Sequence, residues 1–305
     1  MSMSSTGQVI AAGEAGGPIH VSRDGGATWT TGDSANAVWI SSAMTASGDR
    51  IYAVQYGGDL VMSTNGGASW QAVTSSPLVH AAGGLGFEAV TVSQDGQRIA
   101  VAVQDGPIVL SADSGATWHA ATLPDGQPNH WWRWIDGSAD GRVLVAVSHN
   151  AEVYRSTDAG ATWSRLTIAV GGAAANESWY RVKTSADGSA IALVANTFGG
   201  APGTGIYVSR DGGATWTKPF ALVTDYTFLA MSADGQRIAA SMSNTGSAAG
   251  RVVLSIDGGA SFSVLATPGS DTNWRALAMS AGGGELAAAT GAFNTSSTGL
   301  LYTAH

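Results

Sequence analysis

Aromatic residues recur in one register along the chain, with charged residues beside them. Eight residues before the aspartate of a Ser-x-Asp-Gly turn, or before its equivalent, the chain carries in succession Trp39, Phe87, Trp132, Trp179, Tyr226 and Trp274. Their neighbours include Glu88, His130, Arg133, Glu177, Tyr180, Arg181 and Arg275. Aromatic faces pack against the C–H surfaces of sugars, and arginine and glutamate side chains bind hydroxyl groups. The pattern therefore indicates a ligand-binding site, and carbohydrate fits its chemistry.

The segment 129–136, with the sequence NHWWRWID, is the densest part of this pattern. An aromatic residue that recurs at the start of a strand has two interpretations, because it either packs between two sheets or faces a ligand. Packing is the expectation for Trp39, Phe87 and Tyr226. Both interpretations stay open for Trp131, Trp132, Trp134 and Trp179.

Carboxylates near the aromatic residues could instead perform glycoside hydrolysis. This chemistry needs two carboxyl groups either about 5–5.5 Å or about 6.5–9.5 Å apart. The candidates are Glu88, Asp136 and Glu177, and the sequence does not give their separations.

The histidines on the connecting segments are weak candidates for a metal site. None of the three has the H-x-x-x-H or H-x-E spacing of metal ligands. We therefore interpret them as solvated loop residues and predict neither a metal nor a cofactor. They are His80, His130 and His149.

The most conspicuous aspartates belong to a repeated eight-residue segment. Six copies align without gaps, from SRDGGATW at residues 22–29 to SIDGGASF at residues 255–262, with spacings of 41, 48, 45, 53 and 46 residues. The third positions are Asp24, Asn65, Asp113, Asp158, Asp211 and Asp257, and the last positions are Trp29, Trp70, Trp118, Trp163, Trp216 and Phe262. An aspartate in a tight turn accepts hydrogen bonds from its own backbone, and a tryptophan covers the turn with apolar surface. We therefore predict a structural role for these residues.

The pattern S-x-D-x-G-x-T-W resembles the Asp-box, or BNR repeat, of sialidases and many other β-propellers. The resemblance implies an all-β fold in which each Asp-box joins the third and fourth strands of a four-stranded antiparallel blade. Through the same repeat, the chain also resembles the propellers of photosystem II assembly factors. For a sialidase, the resemblance would assign catalytic and substrate-binding roles to Arg133, Tyr180, Arg181, Arg275, Glu177 and Asp136. The N-terminal F/Y-R-I-P segment of sialidases is absent.

The repeats predict one domain, residues 1–305, arranged as a seven-bladed β-propeller. Each unit contains strands A to D, with an SADG-like turn between A and B and an Asp-box between C and D. The units are approximately residues 1–31, 38–73, 86–121, 131–167, 178–219, 225–266 and 273–305. The first unit lacks most of strand A and the last lacks strand D. Six full blades with a composite closing blade is therefore the alternative.

The two faces of such a propeller differ. One face carries the A–B turns and the Asp-boxes, and we call it the turn face. The other carries the D–A and B–C loops, and we call it the loop face. The turn face is nearly constant, whereas loops such as 77–86, 123–131 and 196–205 vary in length and chemistry. Because loops on a rigid scaffold usually carry binding residues, we expect the ligand at the loop face.

Composition narrows the classes of partner. A net charge of −8 disfavours nucleic acid. The chain has no cysteine for disulfide or thiolate chemistry, no apolar run suited to membrane insertion, and no signal-peptide pattern at its first residues. We predict a non-enzymatic ligand-recognition propeller with a carbohydrate or protein ligand. Carbohydrate binding, as in a lectin, is preferred, and the alternatives are a protein-binding assembly scaffold and a glycoside hydrolase or polysaccharide lyase.

Overall fold

The structure is a computed structural model that describes residues 1–75, 86–127, 129–195, 205–220, 226–242, 250–265, 274–290 and 301–304. These residues form strands, turns and irregular segments, and none of them lies in a helix. The prediction of an all-β fold is confirmed.

The strands of the first half of the chain are β1 (Ser2–Met3), β2 (Ile10–Gly13), β3 (Ala15–Gly17), β4 (Ile19–Ser22), β5 (Thr30–Thr31), β6 (Ala37–Met44), β7 (Ile51–Gln55), β8 (Leu60–Ser63), β9 (Gln71–Ala72), β10 (Phe87–Val92), β11 (Ile99–Gly106), β12 (Ile108–Ser111), β13 (His119–Ala120), β14 (His130–Gly137) and β15 (Leu144–Ser148). Those of the second half are β16 (Val153–Ser156), β17 (Ser164–Arg165), β18 (Ala169–Val170), β19 (Ala173–Ala174), β20 (Trp179–Thr184), β21 (Ile191–Ala195), β22 (Ile206–Ser209), β23 (Thr217–Phe220), β24 (Tyr226–Met231), β25 (Ile238–Met242), β26 (Val252–Ser255), β27 (Ser263–Val264), β28 (Trp274–Met279), β29 (Leu286–Thr290) and β30 (Leu301–Ala304).

Most of these strands form consecutive antiparallel meanders, in the orders β1-β2-β4-β5, β6-β7-β8-β9, β10-β11-β12-β13, β14-β15-β16-β17, β20-β21-β22-β23, β24-β25-β26-β27 and β28-β29-β30. Two additional pairings link neighbouring meanders. Strand β3 pairs with β6, and the end of β11 pairs with the start of β14, so β10 to β17 form one eight-stranded sheet. Strands β18 and β19 form a separate hairpin.

The core lies between neighbouring meanders rather than at the centre of the molecule. Strands β15, β21 and β25 are buried along their whole length, so both of their faces are covered. The two-residue outer strands, such as β13 and β17, are exposed. Buried apolar residues of adjacent meanders form shared clusters, as expected for sheets that pack face to face around an axis. The arrangement is that of a β-propeller, and that prediction is confirmed.

A closed ring of backbone hydrogen bonds runs through the A–B turns of the turn face. The second residue of each turn donates its N–H to the carbonyl of the corresponding residue in the next turn, at 2.7–3.1 Å. The donors and acceptors follow one another as Ser5, Ala46, Gln94, Ala139, Ala186, Ala233, Ala281 and again Ser5. The bond from Ala281 to Ser5 joins the two ends of the repeat array. Because backbone groups at this face pair with one another, the ring fixes each meander against the next.

The repeated aspartates hold the turns between the third and fourth strands. In the turn after β16, Asp158 accepts hydrogen bonds from Ser156 Oγ at 2.8 Å, Thr162 N at 2.8 Å and Thr162 Oγ1 at 2.6 Å. Trp163 Nε1 donates to the carbonyl of Gly160 at 3.0 Å, which ties the indole to the turn. The carboxylate bonds recur in the other repeats that have an aspartate, and the indole bond recurs in those that have a tryptophan. These aspartates are therefore occupied by their own turns.

Acid should destabilise these turns. The hydrogen bonds from Thr162, or from the Thr or Ser at its position, lower the pKa of Asp24, Asp113, Asp158, Asp211 and Asp257 from 3.8 to about 2. Since the folded-state pKa is depressed, the ionised form stabilises the fold above pH 3.8. That contribution is lost as the pH falls through about 2. We expect the thermal unfolding midpoint to fall steeply over this interval.

Asn65 supplies the matched control, because it forms the same turn without a charge. Its Oδ1 accepts from Ser69 N at 2.9 Å and its Nδ2 donates to Ser69 Oγ at 2.8 Å. The thermal unfolding midpoint of Asp158→Asn should therefore stay within a few degrees of the wild-type midpoint at neutral pH, and it should fall less in acid. Asp158→Ala should be less stable than wild type at every pH. Thermal unfolding from pH 7 to pH 2 measures this. Identical acid sensitivity in Asp158→Asn and wild type would contradict the assignment.

Candidate functional site

An irregularity in strand pairing recurs at one position of the innermost strands. In β6, β10, β14, β20, β24 and β28 the pairing with the next strand skips one residue near the loop-face end. The skipped residues are Ile40, Glu88, Arg133, Tyr180, Thr227 and Arg275. A β-bulge of this kind redirects the side chain of the extra residue.

Charged and aromatic side chains at the bulge positions of neighbouring meanders contact one another. Glu88 Oε1 lies 3.7 Å from Arg133 Nη1. The guanidinium carbon of Arg133 lies 5.1 Å from the centre of the Tyr180 ring. Arg275, on β28, interacts electrostatically with Tyr180 as well. The bulge therefore assembles Glu88, Arg133, Tyr180 and Arg275 as one group, which we call the channel cluster.

Arg181 lies directly beneath the channel cluster. Its guanidinium carbon is 3.9 Å from the Tyr180 ring centre, 4.0 Å from Trp134 and 5.0 Å from Phe228, and its Nη1 donates to the Tyr180 carbonyl at 3.1 Å. The residue is only 6% exposed. Cation–π contacts of this kind offset part of the cost of burying a charge.

The described charged side chains around the channel cluster are mostly positive. Burial raises the pKa of Glu88, an effect that Arg133 and Arg181 oppose. Burial lowers the pKa of Arg181 and of Arg275, but arginine remains protonated in proteins. Within the described part of the chain, three guanidinium groups thus share the neighbourhood of one carboxylate, although the net charge of the chain is −8. The arrangement suits an anionic group, because guanidinium binds carboxylates through paired, charge-assisted hydrogen bonds.

The aromatic residues before the bulges lie between the sheets. Trp132 and Trp179 are 0% exposed, Trp274 is 1% and Phe87 is 5% exposed. Of the two interpretations left open for Trp132 and Trp179, packing between sheets is the one that their burial supports, and the same holds for Trp274. Trp39 is half-buried and donates Nε1 to the Gly17 carbonyl at 2.9 Å. Tyr226 begins β24, and its side chain falls outside what the structure describes.

The other tryptophans of the segment 129–136 have different positions. Trp134 is half-buried and forms one wall beside Arg181. Trp131 is 39% exposed, and its ring centre lies 4.4 Å from that of His149. Of the tryptophans predicted to contact a ligand, Trp131 presents the largest accessible surface.

The three carboxylates considered for glycoside hydrolysis occupy separate contacts. Asp136 accepts from Lys183 Nζ at 2.7 Å and from Thr184 N at 2.8 Å. Glu177 Oε1 accepts from Tyr207 Oη at 2.7 Å, whereas Glu88 pairs with Arg133. These contacts do not bring two carboxyl groups together across the channel.

His130 is buried, so its interpretation as a solvated loop residue is wrong. Its Nδ1 lies 2.9 Å from Glu152 Oε2 and its Nε2 lies 3.2 Å from Asp125 Oδ2, the latter outside hydrogen-bond geometry. Tyr154 Oη donates to the same Asp125 oxygen at 2.8 Å. The three groups offer metal-ligating atoms within 4.8 Å of one another. The two carboxylates lie at different ring nitrogens, however, so the imidazole links them to each other rather than joining them around one ion.

Removing this imidazole should destabilise the fold, because two carboxylates would lose their shared partner. We expect His130→Ala to lower the free energy of unfolding by about 1–3 kcal/mol. His149→Ala is the matched control, because His149 is half-exposed and its Nδ1 contacts Ser178 Oγ at 2.9 Å. That substitution should cost less than about 1 kcal/mol. Chemical denaturation of both variants measures the difference, and equal losses would contradict the assigned role of His130.

Residues 76–85, 196–204, 221–225, 243–249, 266–273 and 291–300 lie outside the described residues, and with them His80 and much of the loop face. The cavity that the structure does describe in the channel has a volume of about 240 Å³. It extends from Arg181 and Trp134 to the ring of A–B turns, at the end opposite the expected site.

No helix of the described residues is long and apolar enough to span a membrane.

The ring of meanders and the repeated aspartate turns together define a β-propeller of the sialidase-like BNR type. Comparison with protein families agrees, because the model of the Sortilin-Vps10 family, described as sortilin and neurotensin receptor 3, matches residues 106–266. This match spans more than half of the chain, and the chain belongs to that family. No curated protein sequence matches the chain significantly.

Solved structures of other propellers are similar in fold. YCF48 bound to D1 peptide is 16% identical with a TM-score of 0.63, over 94% of this chain and 88% of that chain. YCF48 from Cyanidioschyzon merolae is 14% identical with a TM-score of 0.64, over 94% and 90%. The GH74 xyloglucanase from Xanthomonas campestris is 17% identical with a TM-score of 0.67, over 97% of this chain and 52% of that chain. This chain thus spans about half the length of the xyloglucanase. At these identities the likeness concerns the fold alone.

Proposed function

We propose that this chain is a non-enzymatic, seven-bladed recognition propeller that binds an acidic segment of a protein partner at its central channel. The observation that carries the proposal is the excess of guanidinium groups around Tyr180. Arg133, Arg181 and Arg275 surround this ring, and among the described residues Glu88 is the carboxylate beside them. An acidic side chain or a terminal carboxylate complements that charge.

The hydrogen bonds of the turn face support the proposed blade count. The closed ring of hydrogen bonds passes through seven A–B turns, which supports seven units. The first unit then contributes the short strand β1, and the last contributes β28 to β30. In this arrangement the bond from Ala281 to Ser5 closes the propeller where both terminal units are short of strands.

A peptide suits this channel better than a neutral sugar. Sugar recognition depends on exposed aromatic faces, and Trp132, Trp179 and Trp274 are buried. A peptide ligand also has a precedent in the fold, because the similar YCF48 has been solved bound to the D1 peptide. Carboxylates are recognised by arginine without any aromatic platform.

Carbohydrate binding remains a second candidate because of Trp131. This residue is 39% exposed and stacks near His149, so it offers one aromatic surface beside the channel. A glycan array probed with wild type and Trp131→Ala tests this candidate. Binding that disappears in Trp131→Ala and persists in Arg133→Gln would favour carbohydrate.

The test of the main proposal uses a labelled hexaglutamate peptide, with hexaglutamine as its neutral match. Fluorescence polarisation should show saturable binding of hexaglutamate to the wild-type chain, and the affinity should fall as salt is added. Hexaglutamine should bind at least about tenfold more weakly, because a charge-assisted hydrogen bond is roughly twice as strong as a neutral one. Equal binding of the two peptides, or no saturable binding of either, would contradict the proposal.

A further inference from the structure

The turn at residues 63–70 differs from the other Asp-boxes at its third position. Asn65 stands where the other five have an aspartate, and Gly66 follows it. Among the asparagines of the chain, Asn65 is the one that precedes a glycine. Glycine has no Cβ, so no side chain shields its backbone nitrogen from a neighbouring amide. An Asn-Gly pair is for this reason the dipeptide in which deamidation is chemically easiest.

The fold itself requires glycine after Asn65. Gly66 has a φ of +63°, in the left-handed region that favours glycine. A Cβ at this position would overlap the guanidinium group of Arg23, which reaches across from the neighbouring meander. Arg23 Nη2 donates to the carbonyl of Asn65 at 2.7 Å and to that of Gly66 at 3.0 Å. The packing of two hairpins therefore keeps the susceptible pair in place.

Hydrogen bonds restrain both reacting groups of this pair. Gly66 N, the nitrogen that would attack, donates to the carbonyl of Asp49 at 2.8 Å. Asn65 Oδ1 accepts from Ser63 Oγ at 2.9 Å and from Ser69 N at 2.9 Å, and Nδ2 donates to Ser69 Oγ at 2.8 Å. Deamidation requires Gly66 N to lose its proton and the amide carbon to turn toward it. Both steps break hydrogen bonds of the native turn, so they need the hairpin to open.

We propose that Asn65 is a deamidation site that these native hydrogen bonds hold in check and that opening of the hairpin releases. In the open hairpin, Gly66 N gives its proton to water or hydroxide and forms a bond to Asn65 Cγ. The bond from Cγ to Nδ2 breaks, and this nitrogen takes up a proton and leaves as ammonia. Water then opens the resulting succinimide ring at one of its two carbonyl carbons, which gives aspartate or isoaspartate.

The two products affect the turn differently. Aspartate at this position can form the bonds of the sixth Asp-box, where Asp257 accepts from Ser261 N at 3.0 Å and from Ser261 Oγ at 2.5 Å. Ser69 is the equivalent of Ser261, so aspartate keeps the turn and adds one negative charge. Isoaspartate adds a methylene group to the main chain, which shifts the later residues of the turn out of their hydrogen-bonding positions. The modification lies on the turn face and is independent of the peptide site at the channel cluster.

Peptide mapping by mass spectrometry during incubation in mildly alkaline buffer tests the proposal. In wild type unfolded by guanidinium chloride, Asn65 should deamidate at least about tenfold faster than Asn36, an exposed asparagine followed by Ala37. In the native chain, the rate at Asn65 should be at least about tenfold lower than in the unfolded chain. The reason is that the reaction waits for an opening that costs about 1.4 kcal/mol or more.

Arg23→Gln tests the contribution of the contact between the two hairpins. It removes both bonds from Nη2 and should raise the native rate at Asn65 by about twofold to tenfold. Arg210→Gln is the matched control, because Arg210 Nη1 donates to the carbonyl of Asp257 at 3.0 Å in another pair of hairpins. The control should leave the rate at Asn65 unchanged.

Equal rates at Asn65 in the native and the unfolded chain would overturn the proposal, and so would an unfolded chain in which Asn65 reacts no faster than Asn36. Equal effects of Arg23→Gln and Arg210→Gln, or no effect of either, would contradict the proposed control by native hydrogen bonds. Thermal unfolding establishes that each variant is folded during the incubation. If Arg23→Gln does not fold, the comparison of native with unfolded wild type still decides.

Discussion

Replacing Trp179 by alanine should lower the free energy of unfolding by about 3–5 kcal/mol, one of the largest effects expected of a single substitution in this chain. Trp179 is 0% exposed and packs edge-on against Tyr207, with ring centres 5.1 Å apart. Val147, Val182 and Leu193 surround it in the core shared by two meanders. Truncation would leave a cavity that these strands cannot fill. Chemical denaturation measures the loss as a shift of the midpoint at unchanged slope.

Trp131→Ala is the matched control for this prediction. It removes the same side chain from a position that is 39% exposed, two residues after Asn129 and next to a fully buried tryptophan. This substitution should change the free energy of unfolding by no more than about 0.5–1 kcal/mol. If both substitutions destabilised the fold equally, or neither did, the assignment of Trp179 to the core and Trp131 to the surface would be wrong.

The repeats made the general fold predictable, because each Asp-box contains all the residues that its turn needs. The serine, aspartate, glycine and tryptophan of one box make their hydrogen bonds within eight residues of the chain, so sequence alone indicates the turn. The turns 4–7, 45–48 and 280–283 were harder to recognise. They lack the aspartate of the SADG pattern, yet they join the same ring of hydrogen bonds.

The site was less predictable, since the side chains that face the channel depend on the bulge. Regular alternation along β20 gives no indication that the pairing skips Tyr180. The skip leaves Trp179 between the sheets and sets Tyr180 beside Arg133. The sequence therefore pointed to the segment that contributes to the channel cluster, and in the structure Tyr180 rather than Trp179 belongs to that cluster. The group formed by Asp125, His130 and Glu152 was missed because its members lie on different elements without a metal-ligand spacing.

Arg133→Gln should weaken hexaglutamate binding by at least about tenfold, because it removes one charged donor of the channel cluster. Arg133 is half-buried beside Glu88 and Tyr180, so glutamine retains part of the packing while losing the charge. Arg165→Gln serves as the control for the loss of one positive charge at an exposed position. Equal losses in the two variants would indicate a nonspecific effect of net charge and would contradict a site at the channel.

The measurement that tests the central claim most directly compares Glu88→Gln with Arg133→Gln in the same hexaglutamate titration. Both residues belong to one ion pair, with 3.7 Å between Glu88 Oε1 and Arg133 Nη1. If this pair lies in the binding site, removing the carboxylate should raise the affinity by about twofold to tenfold, whereas removing the guanidinium should lower it. Opposite shifts are the predicted result. Shifts in the same direction, or no shift in either variant, would contradict the claim that this propeller recognises acidic partners at its channel cluster.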